Sequence, residues 1–279
     1  PYTRGPEHSR SLIEIISEAK QLVENGAKEI ILLGQNVNAY NFENYQLSHL
    51  LYELNKIKNL RRIRYTTSHP KDVTQDLIEA HQKCEKLMPL LHLPVQSGST
   101  NILKRMNRNH TIENYLEKIK DLKNSKPSIK FSSDFIIGYP GETDEDFEKT
   151  ISLMKKVKFI NSYSFIYSPR PGTPAANLKE VDSSTAKKRL LIFQKIADGI
   201  KKDYRTSLIN TVSKVLFENK VKKDNAYFGR DEYFNSVIVK SSENLTGKIK
   251  NIKISKCNHN TLFGENILSS QVKEKEFAA

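Results

Sequence analysis

Tryptophan is absent from the 279 residues, and cysteine occurs only as Cys84 and Cys257. Two thiols so far apart, in unlike surroundings, make no disulfide framework, and a reducing compartment is the expectation. Neither has a C-x-x-C neighbour, so a zinc ribbon or dithiol redox motif is excluded. Cys84, in "AHQKCEKLM", reads as a semi-buried thiol on a helical stretch. No apolar run reaches the roughly 18 consecutive residues of a membrane helix, and no membrane partner is expected. Internal repeats and low-complexity tracts are lacking. G-x-S-x-G, a phosphate loop ending in Lys-Ser/Thr and G-x-G-x-x-G are all missing, which leaves hydrolase-elbow chemistry and nucleotide hydrolysis unsupported. His69 and His92 lie near predicted strand ends without H-x-x-x-H spacing, so structural roles are the first reading for both. Asp134 and Glu142 are a conceivable carboxylate pair, but nothing in the sequence fixes their separation.

Positive charge is abundant. Lys and Arg number 45 against 32 Asp and Glu, a net +13, and an excess of this size favours a polyanionic partner, nucleic acid first. Apolar residues follow a helical period from Leu12 through Ile15, Ile16, Ala19, Leu22 and Val23, stopped by Asn25-Gly26. A buried-strand run, "EIILLG", comes next. Helix and strand then alternate: a helix around Leu47–Leu54 before "RRIRYT", one near 73–83 before "LLHLPV", helices within 99–124 before "IKFSSDFIIG", and one from about Thr143 before "NSYSFIYS". Five strands separated by helices predict an α/β fold with a parallel sheet.

A long basic helix is predicted from about Ser183 to Arg205, carrying Lys187, Lys188, Arg189, Lys195, Lys201 and Lys202 as a bridge. Beyond it the period changes to two. "TVSKVLFENKV", "SVIVKSS", "GKIKNIKISKC" and "NTLFGENI" predict a small all-β barrel, with the domain boundary between residues 207 and 208.

In a parallel α/β barrel functional groups gather at the C-terminal strand ends. Here those ends read "GQNVNAY", "TTSHP", "PVQSGS", "GYPGET" and "SPRPGTP". Gln35, Asn36, Gln96, Ser97 and Ser133 offer neutral donors and acceptors, while Gly34, Gly98, Gly138 and Gly141 let backbone approach a ligand. Such a rim suits a polar organic cofactor, yet it holds no strong base or nucleophile. In the second domain Lys214, Lys222, Lys223, Arg230, Lys248, Lys250 and Lys253, interleaved with Tyr227, Phe228, Tyr233 and Phe234, suit RNA phosphates and base stacking. At least half of those aromatics are expected to fill the barrel core.

"PYTRG", "LLGQNVNAY", "IRYTTSHP", "LHLPVQSGS", "SSDFIIGYPGET" and "YSFIYSPRPGTPAA" together, in this order, resemble the radical S-adenosylmethionine methylthiotransferases. The resemblance spans Pro1 to about Arg205, and the remainder is similar to the TRAM domain that ends these enzymes. It implies a partial TIM-like (β/α)6 barrel lacking its first strand over 1–207, then a TRAM-like RNA-binding barrel over 208–279. It also implies S-adenosylmethionine as cofactor and two 4Fe-4S clusters in a longer parent, held by cysteines upstream of Pro1. The two thiols of this chain cannot supply a three-cysteine set, so it is expected to ligate neither cluster and to be inactive alone.

By motif position the resemblance places Gln35 and Asn36 near the amino-acid end of the cofactor. Gln96, Ser97, Ser133 and Asp134 fall along its ribose and carboxylate, with Gly138 and Gly141 of "GYPGE" near its adenine. No catalytic residue is assigned within the chain. Tyr2 and Arg4 would adjoin the cluster loop, and Arg170 would meet tRNA phosphate or a cofactor carboxylate. The strand-end words favour the branch that adds a methylthio group to C2 of N6-isopentenyladenosine beside the tRNA anticodon. Relatives acting on threonylcarbamoyl-adenosine in tRNA or on a ribosomal protein, and a cluster-free RNA-binding remnant, are the alternatives. A cytoplasmic monomer served by an electron donor is the expected setting.

Overall fold

The structure, a computed structural model, describes residues 8–222 and 225–267. Tyr2, Arg4 and Lys223 lie outside the described residues. The chain gathers into two compact units that divide between Ala197 and Asp198.

The first unit opens on helix α1 (Leu12–Glu24), whose Ser11 side chain accepts from the Glu14 N–H as an N-cap. Strand β1 (Glu29–Leu32) follows. A hairpin of β2 (Asn41–Phe42) and β3 (Tyr45–Gln46) turns through Glu43 and Asn44, both at positive φ as a tight hairpin turn demands. Then come α2 (Leu47–Lys56), β4 (Arg62–Tyr65), α3 (Gln75–Lys83), β5 (Leu90–His92), α4 (Thr100–Arg105), α5 (Ile112–Ser125), β6 (Lys130–Ile137), α6 (Asp144–Val157) and β7 (Asn161–Ile166). Cys84 caps α3 and is fully buried.

β1 pairs with β4, β5 with β6 and β6 with β7, all parallel. Ile63 joins the two sets by donating to Lys86 O at 2.7 Å and accepting from Met88 N at 3.0 Å, so the five strands run in chain order around a partial barrel. The helices cover one face. Ile63, Leu91, Phe131, Phe135 and Ile137 are buried beneath them, and the Tyr65 hydroxyl reaches His81 of α3 at 2.6 Å. By strand alternation the other face carries Glu29 and Ile31, Arg62 and Arg64, His92, Ser132 and Asp134, and Tyr163 and Phe165. On this concave face Arg62, Arg64 and Ser132 are buried, while Ile31, Tyr163 and Phe165 are exposed.

Helix α7 (Ser183–Ser207) crosses the division between the units. Its last turns belong to the second unit, where Arg205 donates to the His259 carbonyl and Tyr204 accepts from Asn235 Nδ2 at 3.3 Å. That packing puts the structural division earlier than the boundary expected after residue 207. The second unit is a closed barrel in the order β10-β12-β11-β8-β9, formed by β8 (Val212–Lys220), β9 (Ala226–Arg230), β10 (Ser236–Lys240), β11 (Ile249–Cys257) and β12 (Thr261–Asn266). Its core is Val215, Phe217, Tyr227, Val237, Val239, Leu245, Ile252, Ile254 and Leu262. Of the four aromatics read as core or stacking groups only Tyr227 joins this core; Phe228 and Tyr233 are half-buried and Phe234 is exposed.

Candidate cofactor rim and nucleic-acid face

The strand ends of the first unit are tied to one another. After β1, Gln35 is exposed, and Asn36 donates to Asp72 Oδ2 at 2.7 Å while its own Oδ1 is buried without a partner. Asn38 exchanges two bonds with the backbone of His69, at 2.9 and 2.8 Å, locking the β1 end to the β4 end. After β5 the chain rejoins β6: Gln96 N–H donates to Asp134 O at 3.0 Å and Gln96 O accepts from Ile136 N at 2.9 Å. Gln96 takes a positive φ of 74°, a strained backbone for a side chain of this kind and a common mark of functional sites.

The "GYPGE" turn is held most firmly. Gly138 N–H donates to Glu142 Oε2 at 3.0 Å, and Arg189 of α7 donates to the same oxygen at 2.9 Å, to Glu142 O at 3.0 Å and to Asp144 at 2.7 Å. Burial pushes the Glu142 carboxyl up, and the Gly138 N–H and the Arg189 charge oppose the shift. Gly138 and Gly141 both sit at positive φ, and a Cβ on Gly141 would overlap the Arg105 guanidinium that packs on the turn. Arg189 is therefore a buried clamp on this turn, a correction to its reading as one more cation on a basic bridge helix. Glu142 is likewise spoken for and forms no catalytic pair with Asp134, whose Oδ1 lies 3.5 Å from His92 Nε2 on the concave face. His92 Nδ1 lies 3.0 Å from Ser132 Oγ.

Two rim residues turn inward. Ser97 is fully buried, its hydroxyl 3.4 Å from Thr150 Oγ1 and accepting from Ser99 N–H. Ser133 is fully buried on the helix side of β6 and accepts from Val95 N–H at 2.9 Å. Both hydroxyls serve packing, so the side-chain contacts expected of them with a cofactor are corrected. Gly98 explains the neighbouring crowding: an added Cβ would collide with the Thr150 backbone, so only glycine lets α6 approach this loop. Ser132 and Tyr163 are additions to the rim that the linear motifs did not single out, and His92, read from the sequence first as structural, joins them beside Asp134; strand alternation from Asp134 would have found Ser132.

S-adenosylmethionine is amphiphilic and zwitterionic, and what is present fits it: an orphaned buried amide oxygen on Asn36, an exposed amide on Gln35, left-handed turns at Gln96 and "GYPGE", and a concave face carrying His92, Ser132 and Asp134 beside them. The chain holds two thiols, against the three that the resemblance implies for one iron–sulfur cluster. Burial pushes the Cys84 thiol up to about 11, and Cys257 belongs to the other unit.

In the second unit the pairing register sets Lys214 opposite Asn251 and Val212 opposite Lys253, so Lys214 and Lys253 share the outer face of the barrel. Lys250 has the inward parity and sits 3.6 Å from Glu243, which also takes Lys248 at 2.6 Å. Arg230 bonds Glu218 at 3.1 Å and lies over the Phe234 ring at 4.3 Å and the Phe228 ring at 5.3 Å. Lys222 and Arg170 are exposed, the latter in the first unit. No helix of the described residues is long and apolar enough to cross a membrane.

The model of the Radical SAM superfamily matches residues 1–154. The tRNA-2-methylthio-N(6)-dimethylallyladenosine synthase of Pelagibacter ubique (strain HTCC1062) is 55% identical over 279 residues, covering 98% of this chain and 62% of that protein. The protein of the same name from Rickettsia akari (strain Hartford) is 48% identical, covering 95% and 61%. A solved methylornithine synthase overlaps 71% of this chain and 56% of its own at 16% identity and a TM-score of 0.49. This chain thus spans less than two thirds of the length of the curated relatives it matches. With more than half of its residues matched by the superfamily model, strands in barrel order and polar strand ends, the chain belongs to the radical SAM superfamily.

Proposed function

We propose that this chain is the cofactor-seating and RNA-holding part of a tRNA methylthiotransferase acting at C2 of N6-isopentenyladenosine beside the anticodon. The observation that carries the reading is the 55% identity, over 98% of this chain, to a protein named for that product. Two features of the fold support it. A polar rim and concave face fit S-adenosylmethionine, and the basic barrel offers Lys214 and Lys253 on one outer face with an Arg230–aromatic stack on its surface.

In the complete protein, S-adenosylmethionine and the clusters supply the radical chemistry and the methyl group. The residues here seat and orient. Gln35 and Asn36 present amides to the cofactor, the clamped "GYPGE" turn offers backbone groups, and Asp134 with His92 faces the space where cofactor and base meet. A target base stacked in an anticodon loop has to leave its stack to reach that space, and the second unit holds the flanking RNA meanwhile. The setting is cytoplasmic, with a monomer drawing on an external electron donor.

Binding by this chain tests the reading. Lys214→Gln with Lys253→Gln should weaken binding of an anticodon stem-loop about five- to tenfold, lower the salt dependence by roughly two counterions and leave S-adenosylmethionine binding unchanged. Gln35→Ala should do the reverse. Stem-loop binding that ignores the lysine pair, or variants equally weak for both ligands, would refute the division of labour.

A further inference from the structure

Beside the rim, at the end of β4, four side chains are left over by everything described so far. His110, in the loop between α4 and α5, is only 8% exposed, and neither ring nitrogen makes a well-formed hydrogen bond, the Val95 backbone meeting the ring only weakly. The Ser68 hydroxyl is also buried and unpartnered. His69 meets His110 edge-on with ring centroids 5.5 Å apart. Arg108 is half-buried, and its guanidinium makes no hydrogen bond or ion pair among the described residues. Tyr115, the other ring against His110, spends its hydroxyl on Leu93 O at 3.0 Å. Buried polar groups in folded proteins are nearly always paired, so the unpartnered Ser68 hydroxyl and His110 ring, with His69 packed on that ring and the half-buried Arg108 beside both histidines, mark a missing ligand.

The chemistry of that ligand follows from the donors. His69 Nδ1 accepts from Lys71 N–H at 3.1 Å, which leaves the proton on Nε2 as a free donor. Arg108 and Lys71 bear on His69 as cations, with Asp72 as the opposing anion; Asp72 is already bound by Asn36. On His110 the nearby groups are His69 and Arg108, with the Val95 carbonyl in weak opposition. The balance is positive, and an arginine in such a place repels a metal ion while matching an oxyanion.

We infer that Ser68, His69, Arg108 and His110 form an oxyanion site at the barrel mouth, taking either a phosphodiester that flanks the target nucleotide or the carboxylate of S-adenosylmethionine. The site rests on the proposed function only for its two natural sources. Burial and the Arg108 charge hold both imidazoles below their usual range, His110 at about 4, so they meet the anion as neutral N–H donors.

The test is imidazole 1H–15N NMR on this chain labelled at histidine, at pH 7 and low salt. Inorganic phosphate should shift His69 and His110 saturably, and Arg108→Gln should weaken that response about tenfold or more. Ser68→Ala, a smaller change that keeps the test alive if Arg108→Gln fails to fold, should weaken it about threefold. S-adenosylmethionine and a short single-stranded oligoribonucleotide are run separately, and whichever gives the Arg108-dependent shift identifies the source. If phosphate moves His110 but RNA never binds the chain, the site stands and the tRNA reading falls. No shift of His110 with any probe, or equal shifts in wild type and both variants, means the groups are served by ordered water alone and overturns the proposal.

Discussion

The two units differ in where they spend most of their charge. In the α/β unit ionic groups are drawn inside and spent on geometry: Arg189 with Glu142, Asp146 accepting from Ser99 at 2.5 Å, and Glu29 between Arg62 and Arg64. The β-barrel unit buries Arg205 and Asp231 but keeps an apolar barrel core, and its lysines Lys248 and Lys250 stand outside in loose pairs with Glu243. A buried pair fixes a shape at the cost of desolvation, whereas an exposed one adds little stability and exchanges readily for a phosphate. The first arrangement suits a seat for a small cofactor, the second a surface that takes and releases RNA.

The sharpest way to break this comparison is to remove one buried partner. Arg189→Met should destabilise the α/β unit by about 3–5 kcal/mol, because Glu142 stays buried beside the Gly138 turn without its cation. Adding Glu142→Gln should recover part of the loss. Urea unfolding, followed separately for each unit, reads both effects. An Arg189→Met protein as stable as wild type would mean that the turn does not depend on the α7 clamp.

Acid should separate the units next. His81 is buried against the Tyr65 hydroxyl, and burial lowers its pKa to about 3 from the usual 6.5. The unfolded chain therefore binds a proton between those values that the folded chain refuses, and stability is full above pH 6.5 and falls as pH drops toward 3, by about 1.4 kcal/mol per pH unit. His110, at about 4, adds a second loss over an overlapping range. The β-barrel unit holds no buried histidine among the described residues. Thermal melts from pH 7 to 5 should show the α/β transition moving down while the barrel transition stays nearly still, and His81→Gln should flatten the slope. Parallel movement of both transitions would contradict the histidine origin.

Much of this was legible in the sequence, and what escaped did so for definite reasons. The βα alternation and the switch to period two at the barrel follow from hydrophobic spacing, and the structure has those elements in that order. Arg189 was misread because a charged residue on a lysine-rich helix looks exposed. Yet Ala186, Arg189 and Phe193, all buried, fall at i, i+3 and i+7, the stripe of one helix face, and the signal was there in the spacing. Ser133 and Asp134 are adjacent on a strand and therefore point to opposite faces, so they could not both line a cofactor through their side chains. Ser97, by contrast, carries no such mark. Its burial follows from the close approach of α6 at Gly98, a long-range contact that no local pattern encodes. The packing of His69 on His110 is of the same kind, bringing together segments some forty residues apart.

The smallest effect sharpens the barrel half of the comparison. Glu243 occupies two of the candidate RNA-binding lysines at once, Lys248 at 2.6 Å and Lys250 at 3.6 Å, and all three side chains are substantially exposed. If those lysines meet phosphate, the carboxylate is a competitor for them. Glu243→Gln should then raise stem-loop affinity about two- to threefold at low salt, steepen the salt dependence and leave the melting of the barrel within the error of the measurement. Weaker RNA binding in Glu243→Gln would reverse the assignment, making the carboxylate a positioning group that orients those lysines toward the RNA, whereas unchanged binding would leave the contact to the outer face of Lys214 and Lys253.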